Sequence, residues 1–136
     1  MVRSGTLLSF SALSILLAIA GAGPLKAQEP GPFKVDPLSA AHGKALWNSL
    51  QCEGCHELGT SRATGPALIG VTDRRSVEWL RKWLKDPVSM VTQDSTAAAM
   101  KAQYGSQMPN FGLTNRDVDG LINYLIQLTQ NNGKSK

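Results

Sequence analysis

Cysteine is scarce in this chain of 136 residues: there are two, Cys52 and Cys55, with two residues between them. A disulfide across so short a loop would remove little entropy from the unfolded chain, so the pair calls for an explanation other than a structural staple. Aromatic residues make up 6% of the sequence and charged residues 18%, and the formal charge is only +4. With no arginine-rich or aromatic-interleaved stripe, that balance excludes the footprint of a nucleic-acid binder; the scattered lysines read as an ordinary solvated face. No internal repeat or low-complexity run is present. Nothing alternates apolar and polar for long enough to form a strand, which leaves an all-α body. That body is small. A domain of about 100 residues buries enough surface for only a modest margin of stability, and a large apolar cofactor at its centre would change the balance.

What is present begins with Arg3 and an apolar or small run from Leu7 to Ala22, broken by Gly21-Ala22-Gly23-Pro24. Leu25-Lys26-Ala27 then precedes Gln28. This is the layout of a secretory signal over residues 1–27, and the run is short for a membrane span. Ala20-Gly21-Ala22 is a second cleavage candidate, because Leu25 is larger than the small residue usual at its position. The competing reading is an uncleaved N-terminal anchor; either one puts the functional part across a membrane. Residues 28–37 carry three prolines and read as an extended tether. Residues 38–130 form the body, and 131–136 a flexible tail.

Four helices are expected in the body. The first covers Leu38 to Leu50, with Leu38, Ala41, Ala45 and Leu46 near helical spacing. The second covers Val77 to Lys85, capped by Ser76 and stopped by Asp86-Pro87, with Val77, Leu80 and Leu84 on one face and Trp79 and Trp83 flanking it. A weaker third covers Ser95 to Gln103. The last, Asn115 to Gln130, opens on Thr114 and Asp117 at capping-box spacing and carries the stripe Val118, Leu121, Ile122, Leu125 and Leu128.

Cys52-Glu53-Gly54-Cys55-His56 is the constellation with a specific chemical meaning, the attachment signature of a c-type haem. Two thiols about one helical turn apart can add to two vinyl groups on neighbouring pyrroles, and the adjacent histidine can ligate the iron beneath. Gly54 is expected to leave space at the porphyrin edge. A thioredoxin-like pair needs a βαβ context that is missing. A zinc site needs four ligands, and besides this motif the chain offers only His42.

Around the motif, the stretch from Ala40 to Leu128 resembles a class I cytochrome c, in which a helix with a glycine and then an aromatic, here Gly43 and Trp47, precedes the attachment site. Gly65-Pro66-Ala67-Leu68-Ile69-Gly70 matches the loop that follows it in that family. The resemblance implies a cytochrome c-like fold of about four helices around one covalent haem c. It also implies that the Pro66 carbonyl accepts the Nδ1 proton of His56, and that an aromatic of the closing helix, at Tyr124-Leu125, packs across the first helix near Gly43. A ligand histidine does need its second nitrogen anchored. Met90, Met100 and Met108 are candidates for the sixth iron ligand; Met108-Pro109 stands where the family places its methionine, so Met108 is the expected one. His42, a few helical turns before the motif, is expected at the surface. Arg74, Arg75, Trp79, Trp83 and Tyr104 are candidate partners for the haem propionates, with one arginine expected on a propionate and the other in water. The tryptophans read at least as well as core.

Histidine and thioether ligands together fill the iron, favour its ferrous state and leave no open position for a substrate. The expected role is therefore electron transfer between redox proteins, not catalysis, in a periplasm. A diffusible shuttle and a subunit tethered to a respiratory or dehydrogenase complex share this chemistry, and membrane association through an uncleaved N-terminus stays open. The competing class is a gas-binding or peroxidatic haem protein with an open sixth site.

Overall fold

The fold starts at Asp36, whose carboxylate accepts from the amides of Leu38 and Ser39 at 3.1 and 3.3 Å. Pro37 takes the first helical position, where its missing N–H leaves nothing unsatisfied. Helix α1 therefore runs over Pro37–Ser49, starting one residue earlier than the expected Leu38. The computed structural model describes residues 34–59 and 64–133. The expected leader at 1–27, the tether as far as residue 33 and residues 134–136 lie outside them.

A 3₁₀ turn over Cys52–Gly54 follows α1, and then come α2 (Val71–Arg74), α3 (Val77–Lys85), α4 (Pro87–Gln93), α5 (Ser95–Tyr104) and α6 (Asn115–Gly133). There is no β-strand among the described residues. Helix α3 has the bounds read from its pattern, and the Ser76 hydroxyl caps it by accepting from the Trp79 amide at 3.1 Å. Helix α4 was not foreseen, because Pro87 reads as a stop. Asp86 ends α3 and also caps α4 through the Ser89 amide at 3.0 Å, so Pro87 both closes one helix and opens the next. Asp94 repeats the device at the start of α5 through the Ala97 amide at 2.9 Å.

Helix α6 is the centre of the fold. The Thr114 hydroxyl accepts from the Asp117 amide at 3.2 Å, and the Asp117 carboxylate accepts from the Thr114 amide at 2.9 Å, a complete capping box. From Val118 to Ile126 only Asp119 is not buried. Burying each large aliphatic side chain there contributes about 1.5–3 kcal/mol. The helix continues to Gly133, through residues expected to begin the tail.

Helix α1 crosses α6 where two glycines meet. A Cβ on Gly43 would overlap the Gly120 carbonyl and stand 2.8 Å from the Leu121 nitrogen. Tyr124 packs on Trp47, one turn beyond Gly43 on α1, with ring centroids 6.1 Å apart and tilted by 57°. Two polar pins flank the crossing. His42 Nε2 bonds Asp117 Oδ1 at 2.8 Å, so this histidine is a half-buried interhelical tie and not the surface residue expected. The buried Asn123 accepts from the Asp36 amide and donates to the Asp119 carbonyl, both at 2.9 Å. Arg81 pairs with Asp119, and Lys85 Nζ donates to the Leu113 carbonyl at 2.7 Å. These contacts bring α3 and the start of α6 together.

Candidate cofactor site

Gln51 leaves α1 at φ 54°, a left-handed conformation that costs a non-glycine residue about 1–2 kcal/mol. The turn it starts is tight: the Cys52 carbonyl accepts from the amides of Cys55 and His56 at 3.2 and 3.0 Å. Both thiols are free, Cys52 half-buried and Cys55 exposed. Burial pushes the Cys52 thiol above its ordinary pKa, which keeps it protonated at neutral pH.

His56 is held by the loop that follows. Its Nδ1 lies 3.0 Å from the Pro66 carbonyl, and since a carbonyl only accepts, Nδ1 carries the proton and Nε2 the lone pair. Burial pulls the His56 pKa down, with the Pro66 bond opposing it, so the imidazole is neutral. Gly65 makes this approach possible. A Cβ there would stand 2.8 Å from the Cys55 carbonyl and 2.9 Å from both Nδ1 and Cε1 of His56. Gly54, in contrast, has no protein atom near enough to crowd a Cβ; the tight glycine of this site is Gly65.

The two arginines do different things. Arg74 donates to the carbonyls of Ala67 and Ile69 at 2.6 and 3.0 Å, bracing the loop on either side of Leu68. Gly70, at φ 71°, donates its amide to Thr129 Oγ1 at 2.8 Å and fixes the far end of the loop on α6. Arg75 lies over the Trp79 ring, 5.5 Å from its centroid, in cation–π contact. The Trp79 N–H, considered above for a propionate, donates instead to Asp94 Oδ2 at 3.1 Å. The ring itself stacks on Trp83 at 5.6 Å.

These elements enclose a cavity of about 350 Å³, within the roughly 300–1,000 Å³ usual for ligand pockets. Cys52, Cys55 and His56 line it, as do Arg74, Arg75, Trp79, Trp83 and Tyr104. Its floor is apolar, with Leu68, Val71, Leu80, Leu121, Ile122 and Leu125. Of the candidate sulfur ligands, Met100 and Met108 reach it; Met90 and His42 are not among its lining residues. An apolar cavity that presents two free thiols, one imidazole with a committed Nδ1 and two methionine thioethers fits a covalently held haem. Sequence reasoning missed Thr64 and Ser106, which also line the cavity. The Thr64 hydroxyl donates to the Cys55 carbonyl at 3.1 Å, and the Ser106 hydroxyl to the Thr64 carbonyl at 2.6 Å.

Residues 40–129 match the family model for cytochrome c. Among solved structures, a cytochrome c from Rhodothermus marinus is 28% identical, with a TM-score of 0.68 over 80% of this chain and 91% of that one. An engineered form of it, bound to a carbene intermediate, is 27% identical, with a TM-score of 0.64 over 79% of this chain and 91% of its own. The cytochrome c domain of the pp3183 protein from Pseudomonas putida is 36% identical, with a TM-score of 0.57 over 65% of this chain and 88% of that one. No curated protein matches the chain.

Proposed function

The chain belongs to the cytochrome c family, and from that premise we propose that it is a one-electron carrier whose iron is held between His56 and Met108. The family gives it one covalent haem c and a role in electron transport. The haem, when bound, supplies a one-electron ferric/ferrous couple. Cys52 and Cys55 would anchor the group through thioether bonds. Pro66 holds the Nδ1 proton of His56, which fixes the ring's orientation and raises the basicity of Nε2. Gly65, Arg74 and Thr129 keep that carbonyl in place. Met108 would supply the second iron ligand, and Pro109 stiffens its loop by fixing its own φ. The apolar floor excludes water, so the site reorganises little when charge changes.

The observation that carries this reading is that Met108 lines the same cavity as Cys52, Cys55 and His56, in the loop just before α6. Arg75 is the arginine we assign to a propionate, because the guanidinium of Arg74 holds two loop carbonyls whereas that of Arg75 holds one, the Arg74 carbonyl at 2.7 Å. Partners are redox proteins that dock transiently at the exposed Cys55 side, through a small interface whose charges set the encounter rate.

The signal-like layout of residues 1–27 and the proline-rich stretch after it support a periplasmic setting for the body, residues 38–130, and its partners in our reading are those of a respiratory or dehydrogenase chain. No helix among the described residues is long and apolar enough to cross a membrane. Carbon monoxide tests the site. The reduced holoprotein should bind it only at the slow rate of methionine departure. Rapid, complete binding would replace this reading with an open-site haem protein.

A further inference from the structure

We propose that Ser106 is a positioning residue that latches the Met108 loop onto the haem-attachment segment; the inference rests on the Met108 reading above. The loop leaves α5 at Gly105, whose φ of 64° turns the chain away from the helix. It reaches α6 only after a stretch with no helix of its own. Its internal bonds are local. Gln107 Nε2 donates to the Met108 carbonyl at 3.2 Å, and Asn110 accepts from the Gly112 amide at 2.9 Å. They shape the loop without docking it.

Among the described residues, three hydrogen bonds dock it. Lys85 holds the Leu113 carbonyl at 2.7 Å at the far end, and Gln107 makes a long contact to the Pro87 carbonyl at 3.5 Å. Both reach the α3–α4 side of the molecule. Ser106 reaches the other side: its hydroxyl donates to the Thr64 carbonyl at 2.6 Å, and Thr64 in turn donates to the Cys55 carbonyl at 3.1 Å. The chain of hydroxyls runs from Cys55 to a residue two positions before Met108, and Cys55, Thr64, Ser106 and Met108 all line the cavity. The position of the methionine is thereby referenced to the cysteine that anchors the cofactor. Without Ser106 the loop stays tied to α3 and α4 but loses its register against the attachment segment, so Met108 leaves more often.

Imidazole added to the ferric holoprotein competes with the methionine, and its apparent affinity reads how often the sixth position opens. One exposed hydrogen bond is worth about fivefold in such an equilibrium. Ser106→Ala should therefore bind imidazole about fivefold more tightly than wild type, and Ser106→Thr, which keeps the hydroxyl, should restore the wild-type value. Ser49→Ala removes a comparable exposed bond, to the Leu46 carbonyl at 3.1 Å on α1, and should change nothing. A merely structural role would lower the unfolding midpoint without raising imidazole affinity well below it. If wild type shows a methionine-to-iron charge-transfer band and Ser106→Ala binds imidazole as wild type does, the latch is wrong and the ligand assignment stands. Failure of Ser106→Thr to restore affinity also overturns the latch. A wild type without the band overturns the assignment and the latch together.

Discussion

Replacing Gly43 with alanine adds one methyl group at the point where the fold tolerates it least. Two effects of opposite sign compete. In a helix interior alanine is better than glycine by about 1 kcal/mol, so propensity alone would stabilise the variant. Against this, the new Cβ would overlap the Gly120 carbonyl and stand 2.8 Å from the Leu121 nitrogen. These are backbone atoms of α6, which cannot rotate aside as a side chain could. The helices must separate, and the same crossing carries the His42–Asp117 and Asp36–Asn123 bonds and the Trp47–Tyr124 contact.

Overpacking costs about 1–3 kcal/mol where neighbours can adjust; with backbone on both sides we take the upper end or beyond. The net loss should be at least about 2 kcal/mol after the propensity gain, a fall of roughly 10 °C in midpoint for a domain of this size. Gly120→Ala is the control, since it has the same propensity gain. Its nearest neighbour would be the His42 ring at 2.9 Å, a side chain that can move, with Gly43 N and Ser39 O at 3.1 and 3.2 Å. It should fall within about 1 kcal/mol of wild type. Guanidinium unfolding of the holoprotein, followed by far-UV circular dichroism, measures both. A Gly43→Ala protein as stable as wild type, or no less stable than Gly120→Ala, would refute the reasoning about the crossing.

Gln51→Gly should raise stability by about 0.5–1 kcal/mol, since relief of the left-handed φ outweighs glycine's larger entropy loss; an unchanged or lowered unfolding midpoint would argue against strain at the start of the motif. The Thr114 hydroxyl above all, then His42 and the Thr114 amide, hold the Asp117 carboxyl at about 2, against an ordinary 3.8. A lowered folded-state pKa gives stability that is fully present above the ordinary value and is lost as pH falls through the folded one. Asp117→Asn should therefore be less stable than wild type at neutral pH, with the gap closing from 3.8 down to about 2; parallel acid-unfolding curves would contradict it.

Local features were legible in the sequence. The Ser76 cap and the Asp86 stop give α3 its bounds, and the Thr114–Asp117 spacing gives the start of α6, because caps act within one turn. The attachment motif and the Gly65-Pro66 loop were legible as patterns of adjacent residues. Helix α4 was hidden because proline stops one helix and starts another with the same ring. His42 looked like a surface residue and Asn123 gave no signal, since their partners lie 75 and 87 positions away. The same distance problem hid Ser106, whose partner is 42 residues off. The division of labour between Arg74 and Arg75 depends on which of two neighbours turns toward the loop carbonyls, and composition says nothing about that. Trp79 was identified by its position on α3, but its N–H finds Asp94 in the neighbouring cap.

Closure of the iron by Met108 is tested by a near-infrared absorption spectrum of the oxidised holoprotein beside that of Met108→Ala. Ligation by Met108 gives a weak sulfur-to-iron charge-transfer band in the wild type that is absent from the variant. A wild type without the band, or a band that survives the loss of Met108, would contradict it.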